Sequence, residues 1–281
     1  MPELPEVETI KLQLEKYIVG SVIKKLEIRN KKYEFDASKA LGTRIIGIRR
    51  FAKQLSIDLE NDYSIMIHVK MTGQLIYRGS KLKLNNLSKK VIGGLDGKHT
   101  HLIFHLNDGD LYYNDVRQFG WIKIIKSEEL MRSSSAINNN FAPEPLKDLT
   151  LEYFFNLLSK SKRNIKVLLM DQSKIGGIGN IYANDALWLS RISPRRSASS
   201  LSLSETTELY EAIESVLKAG LKYGGASELA FVTPDGKEGE YQNHSLVYGN
   251  EGQICKSCKI NRIEKFFLGG RGTYYCPECQ K

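Results

Sequence analysis

The chain reads as an α+β multidomain protein, with a β-rich first half entered through one helix, a helical second half and a short cysteine-bearing tail. Three observations predict this. Up to about residue 130, short runs of alternating apolar and polar residues are separated by turn formers, the mark of a β-sandwich or barrel. From residue 149 onward the apolar residues recur at helical spacing instead. All four cysteines, Cys255, Cys258, Cys276 and Cys279, lie within the last 27 residues. The predicted divisions are a β domain over 1–130, a linker over 131–148, a helical domain over 149–245 and a tail over 246–281.

The first helix follows from Val7, Ile10, Leu14, Tyr17 and Ile18, which share one face. Pro5 suits its start, Glu6 and Glu8 its positive end, and Gly20 its stop. Strands are expected at 22–29, 45–48, 55–59, 65–69, 102–106, 111–113 and 121–125, with Asn107-Asp108-Gly109-Asp110 turning a hairpin. His99, His101 and His105 alternate and read as one polar face, without the spacing of a second metal site. Residues 79–97, with Lys81, Lys83, Lys89 and Lys90, read as a long solvated loop. A polar run over 133–140, then Pro143 and Pro145, changes the regime. Beyond it, Leu151, Phe154, Phe155 and Leu158 make one helical stripe, and Ile165, Leu168 and Leu169 another. Leu209, Ile213, Val216 and Leu217 mark the buried face of a helix ending near Tyr223.

A formal net charge of +9 and a sequence pI ≈ 9.2 point to a polyanionic partner, nucleic acid before membrane. No run approaches the ~20 apolar residues that span a bilayer. The acidic N-terminus lacks the basic and apolar regions of a signal peptide. The expectation is a cytoplasmic monomer without membrane contact, nucleoid-associated if the source is prokaryotic. Residues 160–196 hold eight basic and two acidic residues, a net +6. Within them Gly176, Gly177 and Gly179 precede a helical run, which presents backbone N–H groups to a phosphate. A helix–turn–helix packed for structural reasons is the alternative. A dinucleotide site is excluded, because no strand precedes the glycines and no GxGxxG is present.

Cys255-Lys256-Ser257-Cys258 and Cys276-Pro277-Glu278-Cys279, seventeen residues apart, have zinc-ribbon spacing. Two C-x-x-C knuckles close a tetrahedral site with no open position, so one structural Zn²⁺ is expected. A redox pair or two disulfides is the competing reading. Arg271, among Gly269, Gly270 and Gly272, is either a phosphate contact on a rigid tip or a solvated charge on a flexible one.

The opening Met1-Pro2-Glu3-Leu4-Pro5-Glu6-Val7-Glu8 crowds three carboxylates into a basic chain. Removal of Met1 leaves Pro2 as a secondary amine, and an α-amino group titrates near ~7.7–8.0 against ~10.4 for a lysine. Such an amine is a nucleophile without the burial that a lysine needs. Its attack on an aldehyde-like carbon gives a cationic iminium, an electron sink for elimination. Glu3 beside it can deliver or accept a proton. An ordinary helix start accounts for Glu6 and Glu8 but not for Pro2 and Glu3.

Taken together, these motifs resemble the formamidopyrimidine-DNA glycosylase family, of the helix-two-turn-helix type. The resemblance covers nearly the whole chain: MPELPEVET at the start, NDVRQFG at 114–120, APEPL at 142–146, GIGNIYANDALW at 177–188, VYGNEG at 247–252 and GGRGTYYCPECQK at 269–281. It implies an N-terminal β-sandwich, a helix-two-turn-helix domain and a zinc ribbon. It places the nucleophile on Pro2 and the general acid on Glu3. Lys53 and Arg271 then hold the phosphates flanking the lesion during elimination, and Asn180 is the phosphate-binding asparagine of the Gly-rich turn. Met71, Arg117 and Phe119 match residues that fill the void left by an extruded base. His99 matches a DNA-contacting position, and Lys166 of the basic segment is counted among the DNA contacts. Two positions depart from many relatives: Asn250, where they carry Arg, and Lys70, where they carry Gly.

The implied activity is that of a bifunctional DNA glycosylase/AP lyase of base excision repair acting on damaged double-stranded DNA. It excises 8-oxoguanine and formamidopyrimidines, then cuts the strand by β,δ-elimination through a Schiff base on Pro2. The alternatives are an endonuclease-VIII-like enzyme for oxidised pyrimidines and a non-catalytic zinc-ribbon DNA-binding protein. Residues 231–241, reading DGKEGEY before VYG, resemble the purine-directed branch. They read either as a mobile loop able to close over an extruded base or as a polar linker.

Overall fold

The chain enters its first unit through α1 (Leu4–Ile18), which Glu3 caps and whose buried side chains include Val7, Ile10, Leu14 and Ile18. The strands that follow are β1 (Ile23–Ile28), β2 (Ile45–Phe51), β3 (Gln54–Leu59), β4 (Tyr63–His68), β5 (Gly73–Gly79), β6 (Thr100–Leu106), β7 (Gly109–Asp115) and β8 (Trp121–Lys126). They form two antiparallel four-stranded sheets, ordered β1-β6-β7-β5 and β2-β3-β4-β8. Ile48, Ile57 and Ile65 of one sheet meet Leu75, Phe104 and Tyr113 of the other in a core that α1 joins through Ile10 and Leu14. The β-sandwich with an N-terminal helix is thus present. Each such aliphatic side chain contributes about 1.5–3 kcal/mol by leaving water.

The computed structural model describes residues 1–82, 86–92, 95–134, 141–228 and 230–281, with the backbone alone for 131–134. Lys83 of the expected solvated loop and residues 135–140 of the expected linker lie outside the described residues.

Strand β5 is absent from the sequence reading. The physical reason is that Leu75, Ile76 and Tyr77 are apolar in succession, all buried, so the strand lacks the alternating composition of β3. Residues 231–234 cover the outer face of this strand, with Tyr77 N–H donating to Pro234 O at 2.8 Å and Val232 packing on Ile76. Residues 223–240, assigned from sequence to the helical domain, belong to this first compact unit. A further helix, α2 (Ser127–Ser134), follows β8.

The second unit comprises residues 141–222 and 241–281. It holds α3 (Leu151–Ser159), α4 (Ile165–Leu169), α5 (Asn180–Leu189), α6 (Leu203–Lys222) and the hairpin of β9 (Glu264–Leu268) with β10 (Arg271–Tyr275). Leu209, Ile213, Val216 and Leu217 line the buried face of α6, as the spacing predicts. Asp185 of α5 is fully buried and accepts the N–H groups of Leu246, Val247 and Tyr248 at 3.0 Å each and the Tyr241 hydroxyl at 2.9 Å. Among the described residues no helix is long and apolar enough to cross a membrane.

Asp185→Ala strands these four donors, of which the Val247 N–H and the Tyr241 hydroxyl are buried, and a buried donor left unpaired costs about 1–3 kcal/mol. Chemical denaturation should show a loss of at least ~3 kcal/mol; an unchanged midpoint would contradict the anchor. A second expectation concerns His68, at the end of β4, 8% exposed and edge-on to Trp121. Burial, then Lys70 and Lys53, pushes its imidazole down to about 4 from 6.5. The unfolded chain therefore binds more protons between those values. Stability from this residue is complete above about pH 6.5 and falls toward pH 4 by up to ~3 kcal/mol. His68→Phe should flatten the fall in denaturation midpoint between pH 7 and pH 5.

Candidate functional site

Pro2 and Glu3 are both buried, and Glu3 is 3% exposed. Glu3 and Glu6 form a reciprocal capping box: the Glu3 carboxylate accepts the Glu6 N–H, while the Glu3 N–H donates to Glu6 Oε2 at 2.7 Å. The other Glu6 oxygen accepts the N–H of Ala226 at 2.8 Å. A Cβ on Gly225, whose φ is +85°, would lie 2.7 Å from Glu6 Cγ, so this backbone passes only as glycine. The sequence reading explained Glu6 by the helix dipole and missed this bridge. Its one local signal is a glutamate three residues after a capping glutamate.

Lys53 sits in the two-residue turn between β2 and β3, where Ala52 adopts φ 51° and closes the hairpin. Its side chain is 5% exposed. Arg50 at the same end of β2 pairs with Glu8 of α1 at 2.6 Å, fastening the hairpin to the N-terminal helix. Burial holds the α-amino group of Met1 below its ordinary value, and Lys53 adds to that; Glu3, Glu6 and Glu228 oppose it. Pro2, Glu3 and Lys53 are thus each buried, and Glu3 and Lys53 both act on the charge of the Met1 amine.

A second constellation is organised by Asp115 at the end of β7, which is fully buried. Its carboxylate accepts the Tyr33 hydroxyl at 3.0 Å, the Gly120 N–H at 2.8 Å and the Thr72 hydroxyl. Thr72 in turn accepts the N–H of Arg117 at 3.0 Å. The turn carrying Met71 and the loop carrying Arg117 and Phe119 are thereby joined. Met71 is half-buried, while Phe119 is 52% exposed with the Arg117 guanidinium 4.5 Å over its ring. Lys70, before Met71, has φ 51°, a conformation that glycine adopts without strain. Sequence reasoning missed Asp115.

The histidines do not form one face. His99 precedes β6 and is half-buried, and its carbonyl accepts the Asp115 N–H at 3.0 Å. A register shift between Thr100 and Leu102 breaks the alternation. His101 turns inward, 5% exposed, and stacks on Tyr33.

In the second unit, Gly179 caps α5 and Asn180 is its first residue. Asn180 Nδ2 donates to Gly272 O at 3.1 Å. Lys166 of α4, counted from sequence among the DNA contacts, is 1% exposed and donates to the same carbonyl at 3.0 Å and to Thr273 Oγ1 at 2.7 Å. In this conformation it supports the hairpin from beneath. Asn184 Oδ1 accepts the Tyr274 N–H at 2.7 Å. Gly269 and Gly270, with φ 55° and 72°, make a tight two-residue turn, and Arg271 stands exposed at its end. A groove of about 350 Å³ beside it is lined by Arg163, Lys166, Met170, Asp171, Leu268 and Arg271. Asn250 donates to Ser245 O and Leu246 O, a structural part in the turn before the tail.

The sulfurs of Cys255, Cys258, Cys276 and Cys279 all lie within 4.8 Å of one another. Two of their separations, Cys255–Cys279 and Cys258–Cys276, are 3.7 Å. A tetrahedron with metal–sulfur bonds of ~2.3 Å has edges of about 3.8 Å, so the four thiols can hold a metal ion. Burial opposes ionisation of Cys255, but the N–H groups of Cys258 and Ser257 and the Trp188 indole hold its thiol below the ordinary range. N–H groups of Asn261 and Ile260 do the same for Cys258, and burial pushes Cys276 and Cys279 up.

Residues 231–240 pack as part of the first unit. Phe231, Val232, Thr233 and Asp235 are buried, and Ser88 N–H donates to Gly236 O at 2.8 Å. Hydrogen bonds to β5 and to the Ser88 backbone tie this stretch to the first unit.

Two family models match the chain: the formamidopyrimidine-DNA glycosylase N-terminal domain over residues 1–122, and the formamidopyrimidine-DNA glycosylase H2TH domain over residues 141–231. A formamidopyrimidine-DNA glycosylase of Carboxydothermus hydrogenoformans is 38% identical over 288 residues, covering 100% of both chains. One of Rickettsia massiliae is 39% identical, covering 100% of this chain and 97% of its own. Among solved structures, a Lactococcus lactis FPG mutant in complex with Fapy-dG-containing DNA superposes with a TM-score of 0.88 at 32% identity, covering 100% of each chain. The Lactococcus lactis enzyme with abasic-site DNA gives a TM-score of 0.86 at 32% identity, covering 99% of each. With identity running from the first residue to the last and both halves of the fold matched, the chain belongs to the formamidopyrimidine-DNA glycosylase family.

Proposed function

We propose that this protein is a bifunctional DNA glycosylase/AP lyase of base excision repair that acts on oxidised purines in double-stranded DNA. The observation that carries the reading is the burial of Pro2, Glu3 and Lys53, with Glu3 fixed in the capping box that opens α1. The damaged nucleotide leaves the stack, because its glycosidic carbon is shielded inside the duplex. With Met1 removed, the Pro2 nitrogen attacks C1′ while Glu3 protonates the opening sugar ring and the base departs. The resulting iminium acidifies the C2′ hydrogens, so β-elimination expels the 3′ phosphate and δ-elimination the 5′ phosphate. Lys53 and Arg271 neutralise the flanking phosphates, Asn180 binds phosphate, and His99 contacts the DNA. Met71, Arg117 and Phe119 occupy the vacated stack; the exposed Phe119 on a tightly tethered loop supports this role. Lys166 acts on DNA through the hairpin that it supports. One structural Zn²⁺ on the four cysteines holds that hairpin, since four thiolates at these separations leave no open position. The protein works as a cytoplasmic monomer, consistent with a charge suited to nucleic acid.

Borohydride reduction during reaction with an 8-oxoguanine duplex should trap a covalent adduct that maps to Pro2. An adduct on an internal lysine, or none despite tight binding, would replace this mechanism with a lysine nucleophile or a binding-only protein. Glu3→Gln should keep duplex affinity and lower base excision by ~10²–10⁴-fold, the range for a lost general acid. Arg271→Ala should weaken damaged and undamaged duplex alike and reduce the salt slope by about 1. Excision of 8-oxoguanine opposite cytosine should outpace that of thymine glycol opposite adenine; the reverse order would favour the pyrimidine-directed branch.

A further inference from the structure

We propose that Lys70 grips a backbone phosphate of the duplex next to the position from which the damaged base is extruded. This rests on the DNA-repair reading above. Strand β4 ends at His68, which pairs with Trp121 at the start of β8, and the β2–β3 hairpin turns at the same end of this sheet. Three residues there have left-handed backbone, Ala52, Lys70 and Gln118, each with φ 51°. Each stands directly before a residue of the proposed site: Lys53, Met71 and Phe119. Left-handed backbone is costly for a residue with a side chain, and such strain gathers where function requires a particular placement.

Lys70 combines that strain with an unneutralised charge. It is half-buried, and among the described residues no carboxylate pairs with it. The turn is fixed around it: its N–H donates to His68 Nδ1 at 3.1 Å, the Gly73 N–H to Val69 O at 2.8 Å, and the Thr72 hydroxyl to Asp115. Lys70 and Lys53 both lower the buried His68 imidazole, as two positive charges at one end of the sheet do. A merely solvated lysine needs neither burial nor this backbone. An ammonium presents a compact charge that suits a phosphate oxygen without the planar approach of an arginine. From Lys70 that charge stands one residue from Met71, and so against the duplex when Met71 occupies the vacated stack.

The test uses the full-length protein and a duplex carrying a tetrahydrofuran abasic analogue, which cannot be cut by elimination. Lys70→Gln should lower the slope of log affinity against log salt by about 1, whereas Lys70→Arg should keep it. Between roughly 50 and 200 mM salt the parent should therefore lose about threefold to fourfold more affinity than Lys70→Gln. Lys70→Gly should show the same reduced slope; glycine takes this backbone without strain, so the variant separates charge from distortion of the turn. A neutral methylphosphonate placed at one linkage at a time should weaken the parent at a position to which Lys70→Gln is indifferent. A parental salt slope in Lys70→Gln and Lys70→Gly, or equal sensitivity of parent and Lys70→Gln at every linkage, would make Lys70 a solvated charge and overturn the proposal. Failure of the parent to bind this duplex at any salt would instead overturn the DNA reading on which the proposal rests.

Discussion

The Glu6 carboxylate accepts the backbone N–H of Glu3 through one oxygen and that of Ala226 through the other, at 2.7 and 2.8 Å. Chain termini are ordinarily the least ordered part of a domain unless something ties them down. Here a charged acceptor at 1% exposure does so, and charge-assisted hydrogen bonds are about twice as strong as neutral ones. A buried carboxylate without those two donors would be too costly to retain. The N-terminus, the start of α1 and the 225–226 backbone therefore stand or fall together. The placement of Pro2 and Glu3 depends on that tie.

Two other carboxylates repeat the device. Asp115 gathers a tyrosine, a threonine and a loop N–H, and Asp185 gathers three consecutive N–H groups and a tyrosine. Each is an acidic side chain with no solvent exposure, tolerable only when saturated with donors. The consequence for Asp115 is that Phe119 and Arg117 project from a loop with little freedom of its own. Preorganised side chains of this sort lose less entropy when they enter a partner.

In the second unit the same economy appears with the charges reversed. Lys166 is a buried ammonium whose Gly272 and Thr273 partners belong to β10, next to the exposed Arg271. Asn180 converges on the same carbonyl. Two helices therefore define the height of a hairpin whose tip is only two glycines long. One lysine of the basic segment thus acts as scaffold, and the arginine in the tail remains available to a polyanion.

Local chemistry in the sequence was enough for α1, for strands of alternating composition such as β3, for the apolar face of α6 and for the four cysteines. Each leaves a short-range trace: a period of 3.6 or 2, a turn dipeptide, or a C-x-x-C pair. Pro2 and Glu3 stood out as candidates through the MPELPEVET opening, although Glu3 also serves the helix start as its cap. Strand β5 was not legible, since Leu75, Ile76 and Tyr77 are apolar in succession and leave no alternation to read. The inward turn of His101 and the burial of Lys53 and Lys166 were equally hidden, because each depends on a neighbour in space. The bond from Glu6 to Ala226 crosses 220 positions. No local window can contain it, and only the packed sandwich determines that a helix-start glutamate is the acceptor on which the N-terminus rests.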